Sequence, residues 1–367
     1  MSEISVNSIL DATGGATTTI NGFTPTVSNM AGRNRIINGD MRISQRGASP
    51  VITGGGDYSI DRFYNYYSGN AYTSVQSTTA PPGFVNSLKI TITTPSAAPT
   101  FSFAGQKVEG SNVYDLGFGL STAKTVTLSF WVYASVSGIY SFSIGNAAGN
   151  RAYPQTYTIS APNTWQQVGI SIPGDTTGTW ATGITTGIML RFNLGTATAS
   201  RLGTSGAWQA GNFDGATGST GANTFANTSG ATFYITGVQL EAGSVATPFE
   251  HRPIGVELAL CQRYYFNGGN AWAGIFNTGT TARYSGAYPI PMRATPTVLA
   301  IAAPIALNPT VSEAQTGSQT TSFQAPGAGG LINATSASKI QFGGFASAAD
   351  GRASVLTNDC LSFSSEL

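Results

Sequence analysis

The chain has 367 residues, of which only 9% are charged, and its formal net charge is +1. A near-neutral charge without a basic run predicts no electrostatic surface for nucleic acid. One histidine and two cysteines are too few for a His-rich or a four-thiolate metal site, and they leave a single candidate for a Ser-His-Asp arrangement.

The composition favours an all-β protein. Hydrophobic residues make up 41% and aromatic residues 11% of the chain, which is enough to bury a core. Thr, Val, Ile and aromatic residues favour strands, whereas the 46 glycines and 17 prolines interrupt them. No apolar stretch is long enough to cross a bilayer and no basic leader precedes one, so we expect neither membrane insertion nor a signal peptide. Cys261 and Cys360 are then expected to be free, buried thiols.

The first 31 residues form a zone of their own. This segment has too few apolar residues to build a core, so it is either a flexible terminus or an arm that packs on a partner chain. The second interpretation is favoured and makes 1–31 a docking arm. Its apolar side chains would then make the contacts: Ile9, Leu10, Ile20 and Phe23.

Residues 32–251 show the pattern of a β-sandwich. In 125–133, every second residue is apolar, which places Val126, Leu128, Phe130 and Val132 on one face of a strand. Similar alternation occurs at 140–144, 167–172, 187–194 and 232–240, with turn residues between the segments. Trp131 and Trp165 are expected in the core because they lie in or next to these strands.

A segment rich in Gly, Ser, Thr and Asn interrupts this domain at 202–230. A loop of this length inside a compact domain is usually functional or disordered. Its aromatic and amide side chains suit the recognition of a sugar, which needs ring platforms and neutral hydrogen-bonding groups. The candidates are Trp208, Gln209, Asn212 and Phe213. The alternative is that Trp208 plugs the sandwich or a subunit contact.

A short linking helix is predicted at 252–265. Pro253 suits a first helical turn, and four residues recur at helical spacing: Ile254, Leu258, Cys261 and Tyr265. Three turns are not stable alone, so this stripe must pack on a neighbour, and we expect it to contact other chains.

The remaining residues, 266–367, predict a smaller C-terminal β-sandwich. Short apolar segments alternate there with an Ala-rich stretch at 312–339. If the molecule points away from its attachment point, this domain faces the receptor, and its loop tips would carry a second set of sugar-binding candidates: Trp272, Tyr284 and Tyr288.

Several motifs resemble a domain common in bacteriophage and prophage tail-fibre proteins, which is related to the jelly-roll carbohydrate-binding modules. The opening motif is RNRIINGDMRISQRG at 33–47. The other matching segments lie at 58–63, 128–135, 233–243, 246–250 and 257–265, with a weaker match at 288–296 and at the terminal Ser-Glu-Leu. The resemblance covers roughly 32–300.

This resemblance implies a fold, a location and partners. It implies a jelly-roll sandwich in a homotrimer that is assembled in the host cytoplasm and located in the tail of the virion. The N-terminal arm would attach to a tail adaptor, nozzle or other tail protein. The distal part would contact polysaccharide on the host cell surface.

The resemblance also raises the question of a structural calcium ion. Related carbohydrate-binding modules often hold Ca²⁺ between their first and last strands, and here Asn38, Asp40 and Glu241 stand near the matching positions. The paired acids of the last strand are replaced by Thr236 and Gly237, whereas calcium normally takes several carboxylates. We therefore predict no cofactor and keep these three residues as weak calcium candidates.

Catalysis is not predicted. Glycoside hydrolysis needs two carboxylates about 5 to 10 Å apart, and the sequence offers Asp57 with Asp61 or Asp175 with Asp214. Asp175 lies in a turn where aspartate is common, and Asp57 and Asp61 with Arg62 predict a structural turn. The predicted function is glycan binding by a tail fibre during host adsorption. The alternatives are a purely structural virion component and a polysaccharide-degrading tailspike.

Overall fold

The computed structural model describes residues 32–47, 50, 52–267, 272–278, 281–300, 305–307, 314–316, 337–343, 353–357 and 361–367. The chain divides into two compact units, Met1–Arg252 and Pro253–Leu367. The four predicted docking residues, Ile9, Leu10, Ile20 and Phe23, lie outside the described residues. Within the described part, no helix is long and apolar enough to cross a membrane.

The N-terminal unit is an all-β sandwich. In chain order its strands are β1 (Gly55–Ile60), β2 (Phe63–Ser68), β3 (Ala71–Ser77), β4 (Ser87–Thr94), β5 (Phe101–Glu109), β6 (Val126–Ala134), β7 (Gly138–Gly145), β8 (Ala152–Ile159), β9 (Gln166–Ile172), β10 (Thr186–Asn193), β11 (Leu202–Gly203), β12 (Gly215–Ala216) and β13 (Thr232–Ala242). Short 3₁₀ helices occur at Gly110–Asn112, Tyr114–Leu116 and Ala199–Arg201, and one α-helix, α1, at Thr220–Ala226.

Two antiparallel sheets form the sandwich. The six-stranded sheet has the order β1-β2-β5-β10-β7-β8, and the five-stranded sheet has the order β3-β4-β13-β6-β9. The chain changes sheets at β2–β3, β4–β5, β5–β6, β6–β7, β8–β9 and β9–β10, and again between β10 and β13, which is the connectivity of a jelly roll. The predicted all-β jelly-roll class is confirmed.

The core lies between the sheets and is built from alternate residues of each strand. The predicted apolar face of β6 is confirmed, because Val126, Leu128, Phe130 and Val132 are all buried. The ring of Phe130 contacts the ring of Phe192 on the opposite sheet at 5.1 Å. This interdigitation joins the two sheets.

The expectation that Trp131 and Trp165 are core residues was wrong. Trp131 lies on β6 between buried positions and points to the other side of the five-stranded sheet, where it is partly exposed. Trp165 is also partly exposed, and its ring lies 5.5 Å from that of Tyr133. Strand alternation decides this outcome, since a residue next to a core position faces away from the core.

The opening motif packs along the last strand of the sandwich. Asn34 donates from Nδ2 to the Val238 carbonyl at 3.1 Å and accepts at Oδ1 from the Leu240 amide at 3.1 Å. The Gln106 side chain bonds both backbone groups of Ile37, at 2.9 and 2.7 Å. The motif residues therefore satisfy the backbone of an irregular buried segment, as burial of polar groups requires.

Two glycines allow this close packing. A Cβ on Gly39 would collide with the carbonyl oxygen of Val238. Gly237 has φ +61° and lies where the pairing of β13 with β6 shifts register, between Thr236 and Gln239. A positive φ at a bulge favours glycine. These constraints explain both glycines without a ligand.

The segment 202–230, expected as a structureless loop, contains regular elements and is held to the six-stranded sheet by hydrogen bonds. It contains β11, β12 and α1. Its residue Gln209 pairs with Ala152 at the edge of β8, with backbone bonds of 2.9 and 3.0 Å. Further along, the Ala216 amide donates to the hydroxyl of Ser141 at 3.0 Å. The segment thus lies on the β7–β8 side of the six-stranded sheet.

The C-terminal unit contains the predicted helix, α2 (Ile254–Gln262), followed by β14 (Tyr265–Asn267), β15 (Trp272–Thr278), β16 (Thr281–Ala287), β17 (Thr297–Ala300), β18 (Ile305–Leu307), β19 (Ala314–Thr316), β20 (Ala337–Gly343), β21 (Ala353–Thr357) and β22 (Leu361–Ser364). Its sheets have the orders β14-β22-β17 and β19-β18-β21-β15-β16-β20.

Of the four predicted oligomer-contact residues, three lie in α2 and Tyr265 begins β14, and together they do not form one exposed stripe. Cys261 and Tyr265 are both buried, so their side chains are already covered within the chain. Ile254 is exposed, Leu258 is half-buried, and the neighbouring Val256 is exposed as well. Any contact with another chain would involve the first turn of the helix and not its end.

Candidate functional site

Five aromatic rings lie together on the outer side of the six-stranded sheet. Tyr66 is paired with Phe103 across β2 and β5, Tyr58 is paired with Tyr64, and Phe101 lies beside them at the start of β5. Neighbouring ring centroids are about 5.5 to 6.4 Å apart. We call these residues the aromatic face.

The rings of the aromatic face differ in exposure. Tyr64 and Phe103 are 2% and 4% exposed and form its floor. Tyr58, Tyr66 and Phe101 are half-buried, so part of each ring is accessible to solvent. A row of rigid, partly exposed rings on a sheet is a preformed surface for a flat ligand.

Cationic side chains lie over several of these rings. The guanidinium carbon of Arg201 lies 4.4 Å from the centre of the Phe101 ring, and that of Arg46 lies 5.2 Å from the Tyr58 ring. The ammonium group of Lys107 lies 5.4 Å from the Tyr64 ring. Such cation–π contacts hold hydrogen-bond donors at the edge of an apolar surface.

A buried carboxylate positions two arginines at this face. Asp214 is fully buried, Arg201 donates to it from Nε, and Nη1 of Arg191 lies 3.4 Å from its Oδ1. Burial raises the pKa of Asp214, and the hydrogen bond from Arg201 and the charges of both arginines oppose this rise without cancelling it. Asp214 therefore orients Arg201 over Phe101 and joins the 202–230 segment to β10.

Gly105 lies on β5 between two residues of this arrangement. It is paired with Tyr64 on one side and with Arg191 on the other, in the middle of β5. A Cβ on Gly105 would collide with the carbonyl oxygen of Leu190, so the close backbone approach requires glycine. The guanidinium carbon of Arg191 lies 5.4 Å from the centre of the Phe103 ring. Burial raises the pKa of Tyr64, although the charge of Arg191 opposes this effect.

Among the sequence-predicted loop residues, Trp208 packs into the sandwich. Its ring lies 5.3 Å from that of Tyr153, 5.5 Å from Trp180 and 5.7 Å from Phe118. Its indole nitrogen donates to the carbonyl of Pro173 at 2.7 Å. This placement agrees with the alternative interpretation that Trp208 plugs the sandwich.

We expect Trp208→Ala to lower the free energy of unfolding by about 2 to 3 kcal/mol, because three ring contacts and a hydrogen bond are lost. Trp208→Phe keeps an aromatic ring and should cost about 1 kcal/mol, the value of the hydrogen bond. Chemical denaturation of both variants measures the difference. Equal stability of Trp208→Ala and the parent would show that the ring does not plug the sandwich.

The other loop candidates lie closer to the aromatic face. Arg191 donates from Nη1 to Asn212 Oδ1 at 2.6 Å and to the Phe213 carbonyl at 3.1 Å. Gln209 instead bonds its own loop, with Nε2 donating to the Thr204 carbonyl at 2.6 Å. The structure thus brings Asn212 and Phe213 next to Arg191 and keeps Gln209 in a supporting position.

Of the three C-terminal candidates, only Tyr288 has a side chain among the described residues. Tyr288 is buried, with its ring 5.1 Å from that of Phe363 and 6.3 Å from that of Phe266, so its faces are covered within the unit. Trp272 and Tyr284 lie on β15 and β16, but their side chains fall outside the described part of the chain.

The weak calcium candidates are engaged by protein groups. Glu241 accepts from the Thr247 amide at 2.8 Å and from the Thr247 hydroxyl at 2.6 Å. Asp40 accepts from Arg42, and the Asn38 amide donates to the Ile43 carbonyl at 2.8 Å. Across the described residues, no three His, Cys, Asp or Glu side chains come together as a metal site.

The candidate acid pairs are also engaged. Asp57 accepts from backbone amides of its own turn, including that of Thr53 at 2.6 Å. Asp61 pairs with Arg46 at 2.7 Å. Asp175 accepts two bonds from Arg151. Burial raises the pKa of Asp175, but bonds from Arg151 and Thr177 outweigh it and leave the pKa below its ordinary value. These carboxylates hold turns and loops together.

Sequence reasoning missed the aromatic face itself. Its signal was aromatic residues at every second position, at 64 and 66 and again at 101 and 103. This spacing predicts two rings on one side of a strand. The spacing does not show whether that side faces the core or the surface. The opposite side of β2 also carries aromatic residues, Phe63 and Tyr67.

A smaller aromatic cluster lies on the outer side of the five-stranded sheet. Tyr133 contacts Trp165 at 5.5 Å and Tyr234 at 5.2 Å, and Lys89 lies 5.8 Å from the Tyr234 ring. This cluster has three rings against five on the aromatic face. It is the natural comparison surface for binding experiments.

Comparison with known proteins gives limited similarity. No family model matches the chain, and no curated protein matches it. Among solved structures, the enzymatically active domain of tailspike protein 4 from bacteriophage CBA120 matches at 13% identity and a TM-score of 0.31, over 57% of this chain and 21% of that chain.

Carbohydrate-binding modules match at a similar level. The C-terminal family 22 module of Clostridium thermocellum Xyn10B has 12% identity and a TM-score of 0.29, over 54% of this chain and 100% of that chain. The N-terminal cellulose-binding domain of Cellulomonas fimi β-1,4-glucanase C has 14% identity and a TM-score of 0.27, over 54% of this chain and 100% of that chain. Each of these similarities covers about half of this chain, and the chain spans about a fifth of the tailspike domain.

Proposed function

We propose that the N-terminal unit binds a polysaccharide of the host cell surface through the aromatic face, and that the chain is a phage tail fibre which serves in adsorption. The observation that carries the binding proposal is the row of half-buried rings, Tyr58, Tyr66 and Phe101, over a floor of buried rings. The motifs at 33–47 and 233–243, which resemble tail-fibre domains, support the role in the virion.

The chemistry of the aromatic face suits a sugar chain. The C–H side of a pyranose ring packs on an aromatic ring, and its hydroxyl groups need hydrogen-bonding partners around that ring. Arg201 and Lys107 supply donors over two of the rings, at 4.4 and 5.4 Å from the centres of Phe101 and Tyr64. Strand pairing holds the rings in place before binding, so little conformational entropy is lost when the ligand binds.

The proposed assembly makes weak binding effective. A homotrimer presents three aromatic faces, and several fibres on one virion multiply the contacts, so that millimolar sites give strong attachment. Residues 1–31 attach the fibre to a tail adaptor, nozzle or other tail protein, and the fibre is assembled in the host cytoplasm. The proposal involves no catalytic step and no cofactor.

A glycan array probed with the full-length chain tests the proposal, followed by affinity electrophoresis in gels that contain the polysaccharides found. We expect retarded migration in a subset of gels. Failure of the chain to bind any bacterial polysaccharide would contradict glycan binding. If the virion nevertheless needs the protein for assembly, that result would support a structural component. Shortening of the polysaccharide during the assay would instead support a degrading tailspike.

A further inference from the structure

Three exposed apolar side chains lie in two loops of the N-terminal unit, one between β5 and β6 and the other between β9 and β10. Tyr114, Leu120 and Ile184 are 64%, 60% and 51% exposed. The loops that carry Tyr114 and Ile184 are joined by backbone bonds, from the Gly110 amide to the Thr185 carbonyl at 2.8 Å and from the Ser111 amide to the Gly183 carbonyl at 2.9 Å. Scattered exposed apolar residues are common, but one that lines a pocket, as Tyr114 does, offers a contact surface for a ligand.

These loops enclose a small pocket with a volume of about 20 Å³. Its lining carries no charged side chain and consists of Val113, Tyr114, Phe118, Trp180, Ala181, Thr182, Gly187 and Ile188. A volume of this size holds about one water molecule or one methyl group. A water there would find few polar partners among the side chains, so an apolar methyl group is the better occupant.

The pocket walls are held in place by their neighbours. The rings of Phe118 and Trp180 meet edge to face at 4.9 Å, and Trp208 packs behind both of them. A Cβ on Gly187 would lie 2.7 Å from Cγ2 of Val113, so the backbone there is already at closest approach. The pocket therefore exists before any ligand arrives, which lowers the cost of binding.

The groups around the pocket suit a sugar. Tyr114 is 64% exposed, so its ring can pack against a pyranose. Thr182 is exposed and offers a neutral hydroxyl group for hydrogen bonding. We propose that this loop pocket is a second carbohydrate site, separate from the aromatic face, and that it takes the methyl group of an acetylated or a 6-deoxy sugar.

Matched pairs of sugars test this proposal in saturation-transfer difference NMR of the full-length chain. N-acetylglucosamine against glucose tests the acetyl group, and D-fucose against D-galactose tests the 6-deoxy group. In at least one pair, we expect the methyl protons of the methylated sugar to receive the strongest saturation of all its protons. That sugar should also bind about fourfold more tightly than its partner without the methyl group. Equal signals and affinities within both pairs would overturn the proposal.

Two substitutions and two controls locate the site. Tyr114→Ala removes a wall and Ala181→Val fills the pocket, so both should abolish the preference for the methylated sugar, whereas Tyr114→Phe should keep it. Tyr66→Ala, on the aromatic face, should also leave the preference unchanged, so that failure of the main site and failure of this pocket are distinguishable. Loss in Tyr66→Ala with retention in Tyr114→Ala would assign the preference to the aromatic face and refute the pocket. Thermal unfolding checks that Ala181→Val remains folded.

Discussion

Replacing Tyr66 by alanine is expected to weaken polysaccharide binding at least about tenfold, a loss of roughly 1.4 kcal/mol. Tyr66 is half-buried, and its ring lies 5.5 Å from Phe103 and 6.4 Å from Phe101. Its removal would interrupt the row of rings on which the sugar chain is proposed to pack. Affinity electrophoresis with a polysaccharide selected on the glycan array gives the dissociation constant of each variant.

The control for this prediction is Tyr66→Phe, which keeps the ring and loses only the hydroxyl. It should bind within about threefold of the parent if ring packing dominates. Trp165→Ala removes a ring of similar exposure from the opposite sheet, beside Tyr133, and should leave binding unchanged. If Trp165→Ala loses most polysaccharide binding while Tyr66→Ala binds fully, the binding site lies on the five-stranded sheet and not on the aromatic face.

Removal of the buried carboxylate of Asp214 is expected to destabilise the N-terminal unit by about 3 to 5 kcal/mol, because it leaves a buried arginine without its counter-charge. Arg191 is the residue concerned, since its side chain is 10% exposed and lies 3.4 Å from Asp214. Arg201 is more exposed and can turn toward water. Asp214→Ala, measured by denaturant unfolding, tests this expectation. If the free energy of unfolding falls by less than about 1 kcal/mol, Arg191 reaches solvent when Asp214 is absent, and the pair is not needed to compensate its charge.

The same residue makes a prediction about pH. Because the pKa of Asp214 is raised in the folded state, the folded protein binds more protons than the unfolded chain at pH values just above the ordinary value of 3.8. This residue's contribution to stability therefore falls as the pH rises through that window. In Asp214→Asn, which does not titrate, the fall should be absent. A stability profile of Asp214→Asn identical to that of the parent would contradict the raised pKa.

Much of the fold could be predicted from local patterns. The alternation of Val126, Leu128, Phe130 and Val132 indicated a buried strand face, because side chains of a strand point to opposite sides with a period of two. The helix at Ile254–Gln262 was predicted for a similar reason, from its start after a proline and from its periodicity. Both are properties of segments shorter than ten residues.

The candidate site was harder to predict. Trp208 stood out in the sequence as a tryptophan in a polar loop, but its ring is committed to Tyr153, Trp180 and Phe118. Tyr66 and Phe101 are 35 positions apart along the chain and become neighbours only when β2 pairs with β5. No short-range pattern contains that pairing, because strands far apart in sequence are brought together by the closure of the whole sandwich.

By itself, the sequence determined the strand-rich class and the faces of individual strands, and its low charge predicts no nucleic-acid surface. Only the tertiary structure decided which aromatic residues are buried and which remain open. The physical reason is that an aromatic ring gains free energy from any apolar neighbour, in the core or on a surface, so its type does not reveal its side. Register and sheet order make that choice: they leave Tyr66 half-buried next to Phe103 and pack Trp208 against Phe118 and Trp180.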